Sequence, residues 1–199
     1  WWYARNVQLY GDWSGLGHLT SINGRRAEPL TLDDFWPEFR GLRYSFWGLF
    51  GWFNILLPEA FYRAADILTA AALVGLVGAS VRLLRRIPRP LLDHPTPRIL
   101  ALLAGWATVS LALLGYWILQ ATGSQGRLIF PGMVAFGILL AIGLDFWLRL
   151  LGDLGRRIGW ALVFMGLLGM SAYALTRLLP AAYAAPAPVA ALPATATPL

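Results

Sequence analysis

Cysteine is absent from this chain of 199 residues, and charged side chains are scarce, at 13% of the sequence. Without cysteine, neither a disulfide framework nor a thiolate metal site can form. The hydrophobic fraction is 58%, and the charged fraction is about half that of a soluble domain. The formal net charge of +6 would point to nucleic acid in a soluble protein, but here the arginines adjoin apolar runs. The composition predicts an integral membrane protein and argues against a nucleic-acid partner.

Four apolar runs are long enough to cross a bilayer as helices. They cover about residues 59–84, 99–121, 128–150 and 158–179. We therefore expect an all-α fold, a polytopic transmembrane helical bundle within residues 58–180, with membrane lipids around it.

The flanking segments differ from these runs. Residues 1–57 are predicted to hold the end of a preceding helix and an extracytoplasmic loop with interfacial helices. Residues 181–199 are rich in proline and alanine, a composition that does not pack a core and predicts a disordered tail or linker. The aromatic start and this tail lead us to expect a piece of a longer protein, whose remaining helices would pack against these.

The arginines of the loops predict an orientation. Residues 82–98 hold five arginines and residues 149–157 hold three, whereas the TGSQG link between the second and third runs has none. Since loops rich in arginine and lysine stay in the cytoplasm, both of these loops are predicted to be cytoplasmic. Residues 11–57 and the tail are then extracytoplasmic.

The stretch SFWGLFGWFNILLP, residues 45–58, is uncharged and contains five aromatic residues. As a helix it would reach about 21 Å, short of the roughly 30 Å bilayer core. We predict a helix that lies in the outer membrane interface and turns at Pro58 into the first span. Upstream, Thr31 and Asp34 predict a capping box, and Pro37 is expected near the start of the following helical piece.

Two functions are open for this outer interfacial helix. It either anchors the outer loop on lipid or forms a wall of a cavity for a lipid substrate. In the second case the cavity is predicted to be lined by Asp66, Trp47 and Trp52.

Few charges lie within the predicted spans. Asp66 follows Arg63 by three residues, which predicts a local ion pair at the interface, and Asp145 with Arg149 predicts an ordinary surface pair. Both histidines are single loop residues. We therefore predict no metal site, no cofactor, no catalytic residue and no acid/base pair in a shared cleft.

Ala71, Gly75 and Ala79 form a stripe of small residues at four-residue spacing on the first predicted span. Such a stripe lets two helix backbones approach closely in a membrane. We expect a helix-packing face there.

Arg127 follows the TGSQG turn at the outer end of the third predicted span. A guanidinium at that depth can bind a phosphate with two parallel hydrogen bonds, and the backbone N–H groups near Gly123 and Gly126 could add donors. We expect Arg127 to be either a lipid-phosphate ligand, with Arg5 as a partner, or a general interface anchor.

Three strings resemble those of one family. WWYARNVQLYGD, SFWGLFGWFNILLP and SQGRLIFPGMVAFGILLAIGL are similar, in that order, to strings of large bacterial membrane proteins of the GT-C glycosyltransferase-like group, including family 39-like and DUF2142 proteins. The resemblance implies a many-helix bundle in the bacterial plasma (inner) membrane. It also implies an active site on the outer face and a sugar donor carried on polyprenyl phosphate.

The chain departs from the family pattern in two respects. Leu128 replaces the tyrosine usual after Q-G-R, and a second proline is missing near Val134. The acidic residue that such transferases use lies in an early outer loop that this chain lacks. The expected function is therefore that of a C-terminal transmembrane segment of such a glycosyltransferase, not catalytic alone. The alternatives are a non-catalytic scaffold, or a polysaccharide polymerase, ligase or transporter.

Overall fold

The computed structural model describes residues 1–86, 94–121, 123 and 125–184, with Asn23 described by its backbone alone, and these residues are mostly helical. The α-helices are α1 (Trp2–Tyr10), α2 (Leu16–Asn23), α3 (Leu32–Trp47), α4 (Glu59–Arg86), α5 (Pro95–Gln120), α6 (Met133–Leu148), α7 (Gly152–Tyr173) and α8 (Leu179–Ala182). A hairpin of two short antiparallel strands, β1 (Leu49–Phe50) and β2 (Ile55–Leu56), joins α3 to α4. The all-α class is confirmed. The predicted tail from residue 185 onward and the centre of the first arginine-rich loop, residues 87–93, lie outside the described residues.

Among the residues that the structure describes, three helical runs are long and apolar enough to cross a membrane. They are α4, α5 and a run of 57 residues, Gly126–Ala182. The last run contains the predicted spans 128–150 and 158–179. If straight, it would measure about 85 Å, nearly three bilayer cores.

This long run folds back on itself at Gly152, which has φ 74°. Arg156 and Trp160, both on α7, donate to Asp145 on α6 over 2.6 and 3.2 Å, although a straight helix would hold them about 16 and 22 Å away. Helices α6 and α7 therefore lie side by side. Because it folds back, this run is long enough for two membrane crossings. The total of four membrane spans stays a prediction.

Asp145 is more enclosed than its sequence position indicates. The expected pair with Arg149 is present at 2.6 Å, but the Asp145 side chain is only 13% exposed. Its oxygens also accept from Arg156 and Trp160. The prediction of an ordinary surface pair is therefore wrong, because the turn at Gly152 brings α7 over this carboxylate.

Helices α4 and α6 run parallel and touch at the level of their backbones. Any Cβ at Gly143 would overlap the carbonyl of Ala72, and one at Gly75 would overlap the carbonyl of Gly143. The Trp147 indole donates to the carbonyl of Ala71 over 2.9 Å. The packing face predicted from the small-residue stripe is confirmed at Gly75, and its partner is α6.

The predicted helix over residues 45–58 is wrong beyond Trp47. Helix α3 ends there and the hairpin follows, with Gly51 (φ 62°) and Phe53 (φ 61°) in the turn between β1 and β2. Asn54 closes the turn by accepting from the Trp52 N–H over 3.1 Å. Two residues at positive φ are incompatible with a right-handed α-helix. The sequence does not signal this break, because the short aromatic string has no clear helical period.

The capping box at the start of α3 is confirmed. The Asp34 carboxylate accepts from the backbone N–H of Thr31 at 2.9 Å and from its hydroxyl at 2.8 Å. Pro37, however, lies inside α3 and not near a helix start. Exposed aromatic residues lie on α3 on both sides of Pro37, including Phe35, Trp36 and Phe39. This aromatic surface suits the interfacial helix that the sequence predicts.

Tyr62 fastens the hairpin to α4. Its hydroxyl donates to the carbonyl of Gly48 over 2.6 Å and accepts from the N–H of Leu57 over 3.1 Å. The side chain is 1% exposed and packs with Leu57 and with Ala174, from the far part of the long run. We call this the hairpin end of the bundle, and the opposite end, which carries Arg82, Arg86, Arg149 and Arg156, the arginine-rich end.

Candidate functional site

A cavity of about 700 Å³ lies between α3 and α4 at the hairpin end. Helix α3 supplies an aromatic wall, α4 the opposite wall, and Ile129 with two side chains of α6 the remaining surface. The charged residues of the lining are Arg40, Arg43, Glu59, Arg63 and Asp66, and its aromatic residues are Trp36, Phe39, Tyr44, Phe46, Trp47 and Phe136. The cavity is thus amphipathic, with its charges on α3 and on the first two turns of α4.

Arg43 organises the charges. Its guanidinium contacts both oxygens of Asp66, at 3.0 and 2.8 Å from Nε, and Glu59 at 2.9 Å from Nη2. The Arg43 side chain is 13% exposed, whereas both carboxylates are about half exposed. One arginine of α3 therefore binds two acidic residues of α4 and fixes the distance between the cavity walls.

Aromatic rings complete this cluster. The guanidinium carbon of Arg43 lies 5.1 Å from the ring centre of Tyr44 and 5.2 Å from that of Tyr62. Hydrogen bonding to Asp66 raises the pKa of Arg43 above its usual value, against the opposite effect of burial, and Glu59 adds to the increase. The guanidinium therefore stays charged.

The sequence predictions for this cavity had a mixed outcome. Asp66 and Trp47 do line it. Trp52 does not, since it lies at the tip of the hairpin turn and is 89% exposed. The expected partner of Asp66, Arg63, approaches Glu59 instead, at 3.9 Å, because Arg43 occupies the carboxylate of Asp66.

Two carboxylates of α4 share this cleft, although the sequence predicts no acid/base pair in one. Glu59 and Asp66 both face the cavity. Each is bound to the same guanidinium, so both carboxylates already serve as hydrogen-bond acceptors. In chemical terms the cluster can position a ligand and hold two helices together.

Arg127 lies at the same end of the bundle but outside the cavity lining. It is exposed, and its guanidinium carbon lies 5.4 Å from the ring centre of Phe53. The backbone donors expected to assist it are occupied, since the N–H of Gly126 donates to Ser45 Oγ at 2.6 Å and that of Gly123 to Glu38 at 3.2 Å. An anion site built from these N–H groups is therefore wrong, and Arg127 would have to bind a phosphate by its side chain.

Arg5 is exposed on α1, and no hydrogen bond or ring contact among the described residues joins it to Arg127. The neighbouring Asn6 is the buried residue of that string, 4% exposed, and donates to the carbonyl of Trp13 over 3.3 Å. Asp12 accepts from the N–H groups of Ser14 and Gly17, and these bonds lower its pKa. The string WWYARNVQLYGD, residues 1–12, thus makes hydrogen bonds that stabilise the turn after α1.

Sequence reasoning missed Arg43, Glu59 and Tyr62. Arg43 lies one turn before the end of α3, and Glu59 directly follows Pro58 at the start of α4. The available signal was that two opposite charges flank an uncharged aromatic segment, which brings them together if that segment is a hairpin.

No group of three His, Cys, Asp or Glu side chains that could hold a metal ion occurs in the described part of the chain. Comparison with known proteins finds no matching family model, no matching curated protein and no matching solved structure.

Proposed function

We propose that the chain is the lipid-binding membrane part of a GT-C glycosyltransferase-like protein that uses a sugar donor on polyprenyl phosphate. The proposed location is the bacterial plasma membrane, with the hairpin end extracytoplasmic and the arginine-rich end cytoplasmic. The three family-like strings and the arginine asymmetry of the loops support this. Two of those strings also touch, through the hydrogen bond from Gly126 to Ser45.

The amphipathic cavity between α3 and α4 carries the proposal. A polyprenyl phosphate has an anionic head and a long apolar tail, and it reaches a membrane protein from the side. Arg40 and Arg63 are the arginines of the lining that Asp66 does not bind, and both are exposed. They are the proposed phosphate ligands, and the aromatic wall of α3 together with Leu73 and Leu140 packs the first prenyl units.

This chain binds the lipid and does not by itself transfer the sugar. Both acidic residues of the described lining are bound to Arg43, so no free carboxylate there stands ready as a base. The purified chain is expected to release no sugar from a polyprenyl-phosphate donor. Any turnover would require a base that the cluster does not provide.

The binding test uses the full chain in detergent and compares a short polyprenyl phosphate with the matching polyprenol by native mass spectrometry. Arg40→Gln with Arg63→Gln should weaken phosphate-dependent binding roughly ten- to a hundredfold, since a contact with a charged group contributes about 1.5–3 kcal/mol. Arg25→Gln is the matched control, an exposed arginine of the same end outside the lining. Equal affinity for the phosphate and the alcohol would refute the proposal.

Arg127 is tested in the same assay. If Arg127 is a lipid-phosphate ligand, Arg127→Lys should weaken binding of the polyprenyl phosphate and Arg127→Ala should weaken it more. Lysine keeps the charge but not the two-pronged geometry. If both variants bind like the parent chain, Arg127 is an interface anchor only.

The proposed orientation has its own test, for which a cysteine-free chain is a clean background. Ser21→Cys and Arg157→Cys should react with an impermeant thiol reagent from opposite faces of the membrane. Labelling of both from one face would overturn the orientation without affecting the cavity.

A further inference from the structure

A second cavity, of about 330 Å³, lies at the arginine-rich end between α4, the start of α5 and the end of α6. Its polar lining includes Arg82, Arg86, Arg149 and the hydroxyl-bearing Ser80 and Thr96. Arg82 follows Asp66 by sixteen positions on α4, so this cavity is about 24 Å from the first. It is independent of the site described above.

Within the part of the lining that the structure describes, positive charges outnumber negative ones. Asp145 is the acidic residue of the lining, and it is already bonded by Arg149, by Arg156 and by the indole of Trp160. Arg82 and Arg86 have no carboxylate partner among the described residues. Two guanidinium groups thus border a concave surface on which the described residues supply no anion to compensate them.

Phe146 orients one of these groups. The guanidinium carbon of Arg82 lies 4.9 Å from the ring centre of Phe146. Stacking on a ring uses the flat face of a guanidinium and leaves the N–H groups on its edge for an acceptor. Phe146 cannot shift freely, because its ring already closes over Gly78, where a Cβ would lie 2.6 Å from the ring.

The apolar part of the lining decides what kind of anion fits. Leu76 and Ile142 continue the cavity from the arginines toward the middle of the bundle. A soluble anion would leave this surface uncovered. A lipid whose head is anionic covers both parts at once, since basic pockets between membrane helices suit such heads.

We infer that the cavity bounded by Arg82, Arg86 and Phe146 is a binding site for an anionic phospholipid. The phosphodiester accepts from Arg82 and Arg86, and one acyl chain lies along Leu76 and Ile142. Thr96, in the first turn of α5, adds a hydroxyl near the phosphate. The lipid so bound links α4, α5 and α6 at this end.

The test uses the full chain in detergent micelles titrated with phosphatidylglycerol, and in parallel with zwitterionic phosphatidylcholine, and counts bound lipids by native mass spectrometry. The parent chain should retain phosphatidylglycerol in preference to phosphatidylcholine. Arg82→Gln with Arg86→Gln should lower phosphatidylglycerol affinity at least about tenfold, as expected for the loss of charged hydrogen bonds. Arg82→Lys with Arg86→Lys keeps the charge, and its phosphatidylglycerol affinity should lie between those of the parent chain and the glutamine variant.

Arg157→Gln is the matched control, an exposed arginine at the same end that does not line the cavity. It should leave the preference unchanged, and an equal loss there would mean that surface charge alone attracts the lipid, which overturns the site. Inorganic phosphate in large excess should not displace the lipid. Displacement would instead identify a soluble-anion site and overturn the lipid assignment, as would unchanged binding by the glutamine variant.

Discussion

The two helix contacts that shape the candidate cavity are made in opposite ways. Helix α4 meets α6 through glycine, with no side chain between the backbones at Gly75 and Gly143, whereas α4 meets α3 through the charged cluster of Arg43. Within lipid, apolar side chains gain nothing by moving from tails to a neighbouring helix, so close backbone packing stabilises the contact. At the interface water is present, and charged groups can bind each other without full desolvation. The difference between these contacts predicts different sensitivities.

The largest effect is expected at the glycine contact. Gly143→Ala places a methyl group against the carbonyl of Ala72, and a backbone cannot yield as a side chain can. We expect a loss of about 3 kcal/mol or more in the free energy of unfolding, the upper range for overpacking. The measurement is reversible unfolding in mixed micelles. Gly137→Ala on the same helix, where nothing lies within 4 Å of the added carbon, should be neutral or mildly stabilising. Equal losses in both variants would mean that the close contact at Gly143 does not determine the result, since alanine favours a helix more than glycine does.

A smaller loss is expected when the hairpin loses its hydrogen bonds to α4. Tyr62→Phe leaves the carbonyl of Gly48 and the N–H of Leu57 without their partner, at a cost of about 1–3 kcal/mol. Proteolysis within residues 48–57 should also accelerate. Tyr44→Phe removes a hydroxyl that is 3.4 Å from Glu59 and serves as the control. An unchanged cleavage rate in Tyr62→Phe would show that packing alone holds the hairpin.

The charged cluster should respond less than the glycine contact. Arg43→Gln removes the shared partner of Glu59 and Asp66, but both carboxylates are about half exposed and can be hydrated. We expect a loss of about 1–2 kcal/mol, measured by the same unfolding experiment. Arg40→Gln, on the same helix and without an ion pair to any described residue, should change stability by less than about 0.5 kcal/mol. A loss above that of Gly143→Ala would reverse the comparison.

The smallest effect concerns pH. Bonds from the backbone and hydroxyl of Thr31 lower the pKa of Asp34, with Arg26 adding to the decrease. A carboxylate whose folded pKa is lowered stabilises the fold when ionised, so its contribution is present above about pH 4 and is lost as the pH falls through the folded pKa. Thermal unfolding between about pH 5 and pH 3 should show a shallower decline for Asp34→Asn than for the parent chain. Asp33→Asn, which removes the same charge one residue earlier and outside the capping box, is the control. Asp12, whose pKa is lowered too, accounts for a remaining slope.

The structural features that the sequence could predict are those that depend on residues close together in the chain. Apolar runs define α4 and α5, and the capping box joins residues three apart, so both follow from local patterns. Asp66 meets Arg43 across 23 residues, and Gly126 meets Ser45 across 81, so neither contact has a local signal. The prediction of a helix over residues 45–58 failed for another reason. Its aromatic residues suit a helix or a strand equally, and the decisive positive φ at Phe53 belongs to a residue type that rarely adopts it.

The parallel arrangement of α4 and α6 has a consequence for synthesis. Trp147 and its acceptor Ala71 are 76 residues apart, and α5 must cross back before α6 can begin. At about 5–20 residues per second, α4 waits roughly 4–15 s for its partner after it leaves the ribosome. During that interval its glycine face is open to any other helix that leaves the translocon or diffuses past. That face fits closely only a helix that likewise lacks a side chain at the contact, as α6 does at Gly143.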